Sequence, residues 1–157
     1  MKILIVYDSR TGNTEKMAFM VKEGVESTGV DVDLKKIDEA SIDDLPHAEG
    51  LIIGSPVYYG LPTAEIKKFL DESIKYHGKL DGKVGGAFCS SGGTHSGAET
   101  TIIALNEALM IHGFILQGTS GKNHYGAASV GSPDDIDLEA CRKMGERLGN
   151  LVIKISS

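Results

Sequence analysis

Residues Met1–Thr14 read MKILIVYDSRTGNT, and the order of residue types in them decides the fold. Ile3, Leu4, Ile5 and Val6 form an unbroken apolar run of strand length. A run without polar alternation fits a strand covered on both faces, as in a parallel sheet. Asp8, Ser9, Arg10, Thr11, Gly12 and Asn13 end the run with turn residues, and Thr14 opens a helical pattern. A turn that feeds straight into a helix faces that helix's first backbone N–H groups, which lack partners within the helix. Together with the positive end of the helix dipole they attract anions. The hydroxyls of Ser9, Thr11 and Thr14 add further donors. Two readings fit these residues: a plain strand–helix turn capped by Thr11 or Asn13, or a phosphate seat. Neither G-x-x-x-x-G-K-[ST] nor a G-x-G-x-x-G after the first strand is present, which excludes the common triphosphate and dinucleotide loops.

The remaining chain extends this start into a repeating pattern. Met17, Met20, Val21, Gly24 and Val25 recur at helical spacing, so a helix is expected from Thr14 to about Thr28, ended by Gly29. Val30 to Ile37 alternates apolar and polar residues, the mark of a strand near a sheet edge. An acidic connection leads to Pro46, and Leu51, Ile52 and Ile53 form a second buried run that ends at Gly54-Ser55-Pro56. A helix is expected from Thr63 to about Ile74, a fourth strand over Lys83–Cys89, and a helix from Ala98 to about His112. Phe114 to Leu116 begins a fifth strand, a long Gly/Ser/Ala loop reaches Pro133, and a last helix runs from Ile136 to about Ile153. Five strands alternating with helices, without a linker or repeat, make one doubly wound α/β domain over residues 1–157.

Composition narrows the function classes. A chain of 157 residues is long enough to bury about 70% of its extended surface. A formal charge of −6 speaks against nucleic-acid binding, which uses a basic stripe, and is compatible with docking to basic protein partners. No apolar run reaches the roughly 20 residues of a membrane span, and the chain starts directly in a strand without a signal segment, so a cytoplasmic protein is expected. Cys89 and Cys141 have no C-x-x-C spacing and no histidine cluster, which gives no support to a metal site or disulfide. Cys89 reads as a small buried residue at a strand end.

If a ligand lies beyond the carboxyl ends of the strands, the loops after strands three and four should carry unusual residues. After strand three come Pro56, Val57, Tyr58, Tyr59, Gly60, Leu61 and Pro62, two adjacent aromatics between prolines. They would form a rigid wall for a flat ring, with one tyrosine packing against the following helix. After strand four come Ser90, Ser91, Gly92, Gly93, Thr94, His95, Ser96 and Gly97, whose glycines would let backbone N–H groups approach a planar polar edge. Each loop taken singly is also an ordinary turn; three at one end of one sheet are better explained by one ligand.

The stretch Ser9-Arg10-Thr11-Gly12-Asn13-Thr14 resembles the phosphate loop of the flavodoxins, [ST]-x-T-G-x-T, at every specified position. The resemblance implies a flavodoxin-like five-stranded parallel sheet of order 2-1-3-4-5 and FMN as cofactor, its phosphate held by Ser9, Thr11, Thr14 and the backbone of Arg10 to Asn13. It further implies that Pro56, Val57, Tyr58, Tyr59 and Gly60 flank one side of the flavin ring, and that Ser90, Ser91, Gly92, Gly93, Thr94 and His95 line the other. The Gly54–Gly60 loop with Pro62-Thr63-Ala64-Glu65-Ile66, and Tyr125-Gly126-Ala127, resemble instead the WrbA-like quinone-reductase branch of the superfamily, in which Tyr125 and His124 would lie at the flavin or quinone pocket. Electron-carrier flavodoxins often bear tryptophan in the second loop, and this chain has none.

Two functions follow from the resemblance. One is an electron carrier between redox protein partners. The other is an NAD(P)H-dependent quinone or flavin oxidoreductase that uses NAD(P)H as electron donor, acts on a small quinone and forms a homo-oligomer. In either, neutral N–H donors in an acidic protein would lower the flavin potential, while a cationic His95 would act the other way. The Arg10 side chain is expected to be solvated. Two rivals of similar architecture fail on residues. A receiver domain needs an aspartate where strand three ends in Gly54-Ser55, and a low-molecular-weight phosphatase needs arginine where Cys89 plus six gives His95.

Overall fold

The computed structural model describes residues 1–156. The strands are β1 (Lys2–Tyr7), β2 (Asp31–Lys36), β3 (Gly50–Pro56), β4 (Val84–Ser91), β5 (Ile115–Leu116) and β6 (Ala127–Val130). The helices are α1 (Asn13–Glu26), α2 (Ala64–Glu72), α3 (Ala98–Ile111) and α4 (Asp135–Ser156). All strand pairs are parallel, in the order β2-β1-β3-β4-β5, with β6 also paired to β4. This is the 2-1-3-4-5 order expected from the resemblance, with helices on both faces.

The alternation of side chains along β1 divides the core in two. Ile3, Ile5 and Tyr7 pack with Met17, Val21 and Val25 of α1 and with Cys141, Met144, Leu148 and Val152 of α4. Leu4 and Val6 face Ile66 and Phe69 of α2 and Ile102, Leu105 and Leu109 of α3. Central strands β1, β3 and β4 are therefore buried on both faces beyond the exposed Lys2, whereas β2, at the edge, is only half-buried. Helices α1 and α4 touch backbone to backbone. A Cβ built on Gly24 would collide with the Arg142 carbonyl, and one built on Gly145 with the Val21 carbonyl.

The structure corrects the sequence reading in three places. The fifth strand is split: Ile115–Leu116 pairs with Val84 and Gly85, and Ala127–Val130 pairs with Phe88 to Ser91. The second half lies inside the stretch read as a loop. Its small residues give no strand signal, and burial against β4 supplies the missing drive. The acidic connection contains a 3₁₀ helix, Ile42–His47, started by a capping box between Ser41 and Asp44. Helix α1 begins at Asn13, after Gly12 in the left-handed region (φ 87°).

Candidate functional site

The carboxyl ends of β1, β3 and β4 lie side by side and bring their three following loops together. The first loop is built around Ser9. Its Oγ accepts from the N–H groups of Gly12 at 3.1 Å and Glu15 at 3.3 Å. No side chain of the cap residue closes the start of α1, because that residue is Gly12. The N–H groups of Asn13 and Thr14 and the Thr11 hydroxyl have no partner among the described residues. Capping by Thr11 or Asn13, the plainer of the two sequence readings, is thus not what the chain does. Thr14 is buried, and its Oγ1 lies 2.8 Å from Ser90 Oγ, which joins the first turn of α1 to the end of β4. Donors without acceptors at a helix start are the arrangement that takes an anion.

The second loop is a tight turn. Tyr58 and Leu61 exchange N–H···O bonds of 3.0 and 3.1 Å, and the two residues between them, Tyr59 and Gly60, have φ of 51° and 76°. Two successive positive φ values define a type I′ turn, which glycine tolerates and tyrosine rarely adopts. The strained tip carries Tyr59 fully into solvent (106% exposed) while Tyr58 stays half-buried. The Arg10 guanidinium lies 4.8 Å above the Tyr58 ring and 3.9 Å from Glu65. Arg10 is exposed, as expected of a solvated side chain, and its guanidinium reaches from the first loop across to the second. Pro56 ends β3 in a buried position, and the Val57 N–H extends the ladder to Ser90 O at 2.8 Å.

The third loop leaves β4 through buried Ser90 and Ser91. Ser91 Oγ donates to the carbonyls of Gly93 and Ser129, each at 3.2 Å, and fixes the loop against β6. Gly92, Thr94 and His95 are exposed, Gly93 is half-buried, and His95 has a positive φ of 56°. Gly97, in the left-handed region at φ 106°, starts α3 so close to Gly60 that a Cβ would meet the Gly60 Cα. Thr100 Oγ1 then donates to Gly60 O at 2.9 Å, so the second and third loops are locked together. Beyond the third loop a cleft of about 400 Å³ is lined by Thr94, His95, Ser129, Asp134 and Asp137. Burial holds the Asp137 carboxyl above its ordinary value, against the hydrogen bond it accepts from the Asp134 N–H.

Tyr125 and His124 stand apart from these loops. They precede β6 and line a second cleft with Gly85, Gly86 and Asn106, at the gap in the fifth strand. Asn106 Nδ2 donates to Tyr125 O at 3.0 Å, and His124 Nδ1 lies 2.9 Å from Thr119 O. Cys89 is buried, and burial pushes its thiol up to about 12, which leaves it protonated and unreactive at neutral pH. Among the described residues no group of three or more potential metal ligands is present, and no helix is long and apolar enough to cross a membrane.

Three features escaped the sequence reading. Asp8 is 6% exposed, and its Oδ2 has no hydrogen-bond partner among the described residues. Tyr7 Oη donates to Glu15 at 2.9 Å, under the first loop. Ser129, from the expected loop, joins Asp134 and Asp137 at the start of α4 in a polar wall. Asp8 directly after an apolar run was a visible signal; the other two depend on contacts between distant segments.

Comparison with known proteins places this geometry. The flavodoxin family model matches residues 5–122. A flavodoxin of Aquifex aeolicus is 42% identical over 160 residues, covering 96% of this chain and 86% of that protein. An NAD(P)H dehydrogenase (quinone) of Sinorhizobium fredii is 31% identical over 196 residues, covering 99% of this chain and 98% of that protein. Among solved structures, a flavodoxin, WrbA-like protein from Agrobacterium tumefaciens superposes with a TM-score of 0.84 at 30% identity, with 98% of each chain covered. The sheet order, the loop ending in Thr14 and these relatives agree, and the chain belongs to the flavodoxin family.

Proposed function

We propose that residues 1–157 form one FMN-binding domain that passes electrons between protein partners. The observation that carries the reading is the open start of α1, where the Asn13 and Thr14 N–H groups and the Thr11 hydroxyl await an acceptor. These groups fit the terminal phosphate of FMN without a lysine. Ser9, whose oxygen already accepts two N–H groups, has its own proton free to donate to the same anion. Val57 to Gly60 would flank one side of the ring, with Tyr58 backed by Arg10. The backbone N–H groups of Gly92 to His95 would meet its polar edge, and buried Ser90 and Ser91 would hold that loop in place. When bound, FMN supplies the redox chemistry, and the protein supplies binding, orientation and field.

Charge and length both favour the carrier. The wall beyond the third loop bears Glu99, Asp134 and Asp137, in a chain of net charge −6. Such a field attracts basic protein surfaces and repels the pyrophosphate of a nicotinamide dinucleotide. The alignment with the Sinorhizobium dehydrogenase runs over 196 residues against 157 in this chain, so that relative carries segments missing here. The alternative, an FMN-dependent NAD(P)H:quinone oxidoreductase, is favoured by the identity to that dehydrogenase along nearly its whole length.

The two readings part in one experiment. FMN-loaded protein is held under anaerobic conditions, and NADH or NADPH is added with and without a benzoquinone. The carrier reading expects the flavin absorbance to persist with both nicotinamides and to bleach only with dithionite. Bleaching by either nicotinamide, with turnover once quinone is added, would establish the oxidoreductase instead.

A further inference from the structure

Counted from the Gly12 cap, Glu15 is the third residue of α1. A glutamate there ordinarily folds back onto the cap residue's N–H and neutralises the positive helix end. In this chain it does not. The Gly12 N–H donates to Ser9 Oγ at 3.1 Å, and Glu15 Oε1 accepts from Tyr7 Oη at 2.9 Å. Tyr7 is the last residue of β1, 6% exposed and packed in the core beneath α1, so its hydroxyl is a fixed anchor. Burial and the neighbouring Glu15 push the phenol up to about 12, which keeps it a donor at neutral pH. The carboxylate of Glu15 is thereby turned beneath the loop, while the N–H groups of Asn13 and Thr14 stay without partners.

We infer that Tyr7 is a positioning residue for the phosphate seat: its hydroxyl holds the Glu15 carboxylate off the start of α1 and keeps those donors open to an external anion. This role deepens the FMN reading above and rests on it. Without the hydroxyl, the Glu15 carboxylate loses its anchor and is free to turn towards the positive start of α1 and the unpartnered N–H groups of Asn13 and Thr14. A carboxylate there competes with phosphate twice, by taking donors and by like-charge repulsion. Riboflavin, which has the ring and ribityl chain but no phosphate, asks nothing of the seat. Its affinity therefore separates a seat effect from a general loss of structure.

The test compares Tyr7→Phe, Glu15→Gln and the double variant with the native chain, titrating FMN and riboflavin by flavin fluorescence. Tyr7→Phe is expected to weaken FMN by about five- to tenfold while riboflavin affinity stays within twofold. Glu15→Gln should bind FMN at least as tightly as the native chain, and adding it to Tyr7→Phe should restore the loss. Equal weakening of both flavins by Tyr7→Phe, or no weakening of FMN, would overturn the role. So would a Glu15→Gln variant that loses FMN affinity, a result available even if Tyr7→Phe does not fold. If the native chain binds no FMN, the flavin reading fails by itself. The same order of affinities is then sought with inorganic phosphate, and equal phosphate affinity of native chain and Tyr7→Phe would overturn the role of Tyr7.

Discussion

Alanine at Gly24 or Gly145 is expected to destabilise the protein by about 2–3 kcal/mol, although alanine is the better helix former by about 1 kcal/mol. The sign is what makes the result informative. Gly24 lies in α1 and Gly145 in α4, and each presents its bare Cα to the other helix's backbone. The atoms a Cβ would strike are backbone carbonyls and two amide nitrogens, which cannot rotate away as a side chain does. Relief requires the helices to separate, and α1 and α4 together cover one whole face of the sheet. Urea unfolding should show a lower midpoint at an unchanged slope for each single variant. Because both changes force open the same contact, the double variant should cost less than the sum. A midpoint at or above that of the native chain would mean that the two helices do not meet at these glycines.

Thr14→Val should weaken FMN by roughly ten- to a hundredfold and lower the stability of the ligand-free protein by about 1–3 kcal/mol. Valine matches threonine in shape, so the change removes a hydroxyl and little else. In the ligand-free chain that hydroxyl lies 2.8 Å from Ser90 Oγ in a buried position, and its loss leaves the Ser90 hydroxyl without this partner. In the proposed complex it also faces a charged phosphate, where a hydrogen bond is worth more than one between neutral groups. Riboflavin should lose much less than FMN. Calorimetric titration with both flavins, beside thermal unfolding of the ligand-free chain, checks the two parts separately. A normal FMN affinity with reduced stability would remove Thr14 from the seat and leave it a link between α1 and β4.

What the sequence made legible were features whose cause is local. The run Ile3–Val6 announces a strand buried on both faces because nothing polar interrupts it, and the turn Ser9–Asn13 announces its end. Helical spacing in α1, α2, α3 and α4 is equally local, and chain order with right-handed crossovers then places three loops at one end. The turn Ser9–Thr14, the tyrosine pair and the glycine loop are visible for that reason. Strand β6 was not, since Ala127-Ala128-Ser129-Val130 carries little strand preference and is fixed by pairing with Phe88 to Ser91. Gly24 counted in the sequence as one more position of the helical stripe, and its contact with Arg142 lies far along the chain. The same distance in sequence hid the Arg10 guanidinium over Tyr58 and the Ser129 wall beside the third loop. Tyr125 was read on resemblance alone, and the split of the fifth strand puts it at another cleft.

The central claim is that the open start of α1 and its two neighbouring loops hold FMN. The most direct measurement is a titration of FMN with the purified ligand-free chain, followed by quenching of flavin fluorescence. One FMN per chain, bound with a dissociation constant of about 1 μM or lower and at least tenfold more tightly than riboflavin, is the result expected. Fluorescence unchanged at protein concentrations of about 100 μM, or FMN and riboflavin bound equally, would contradict it.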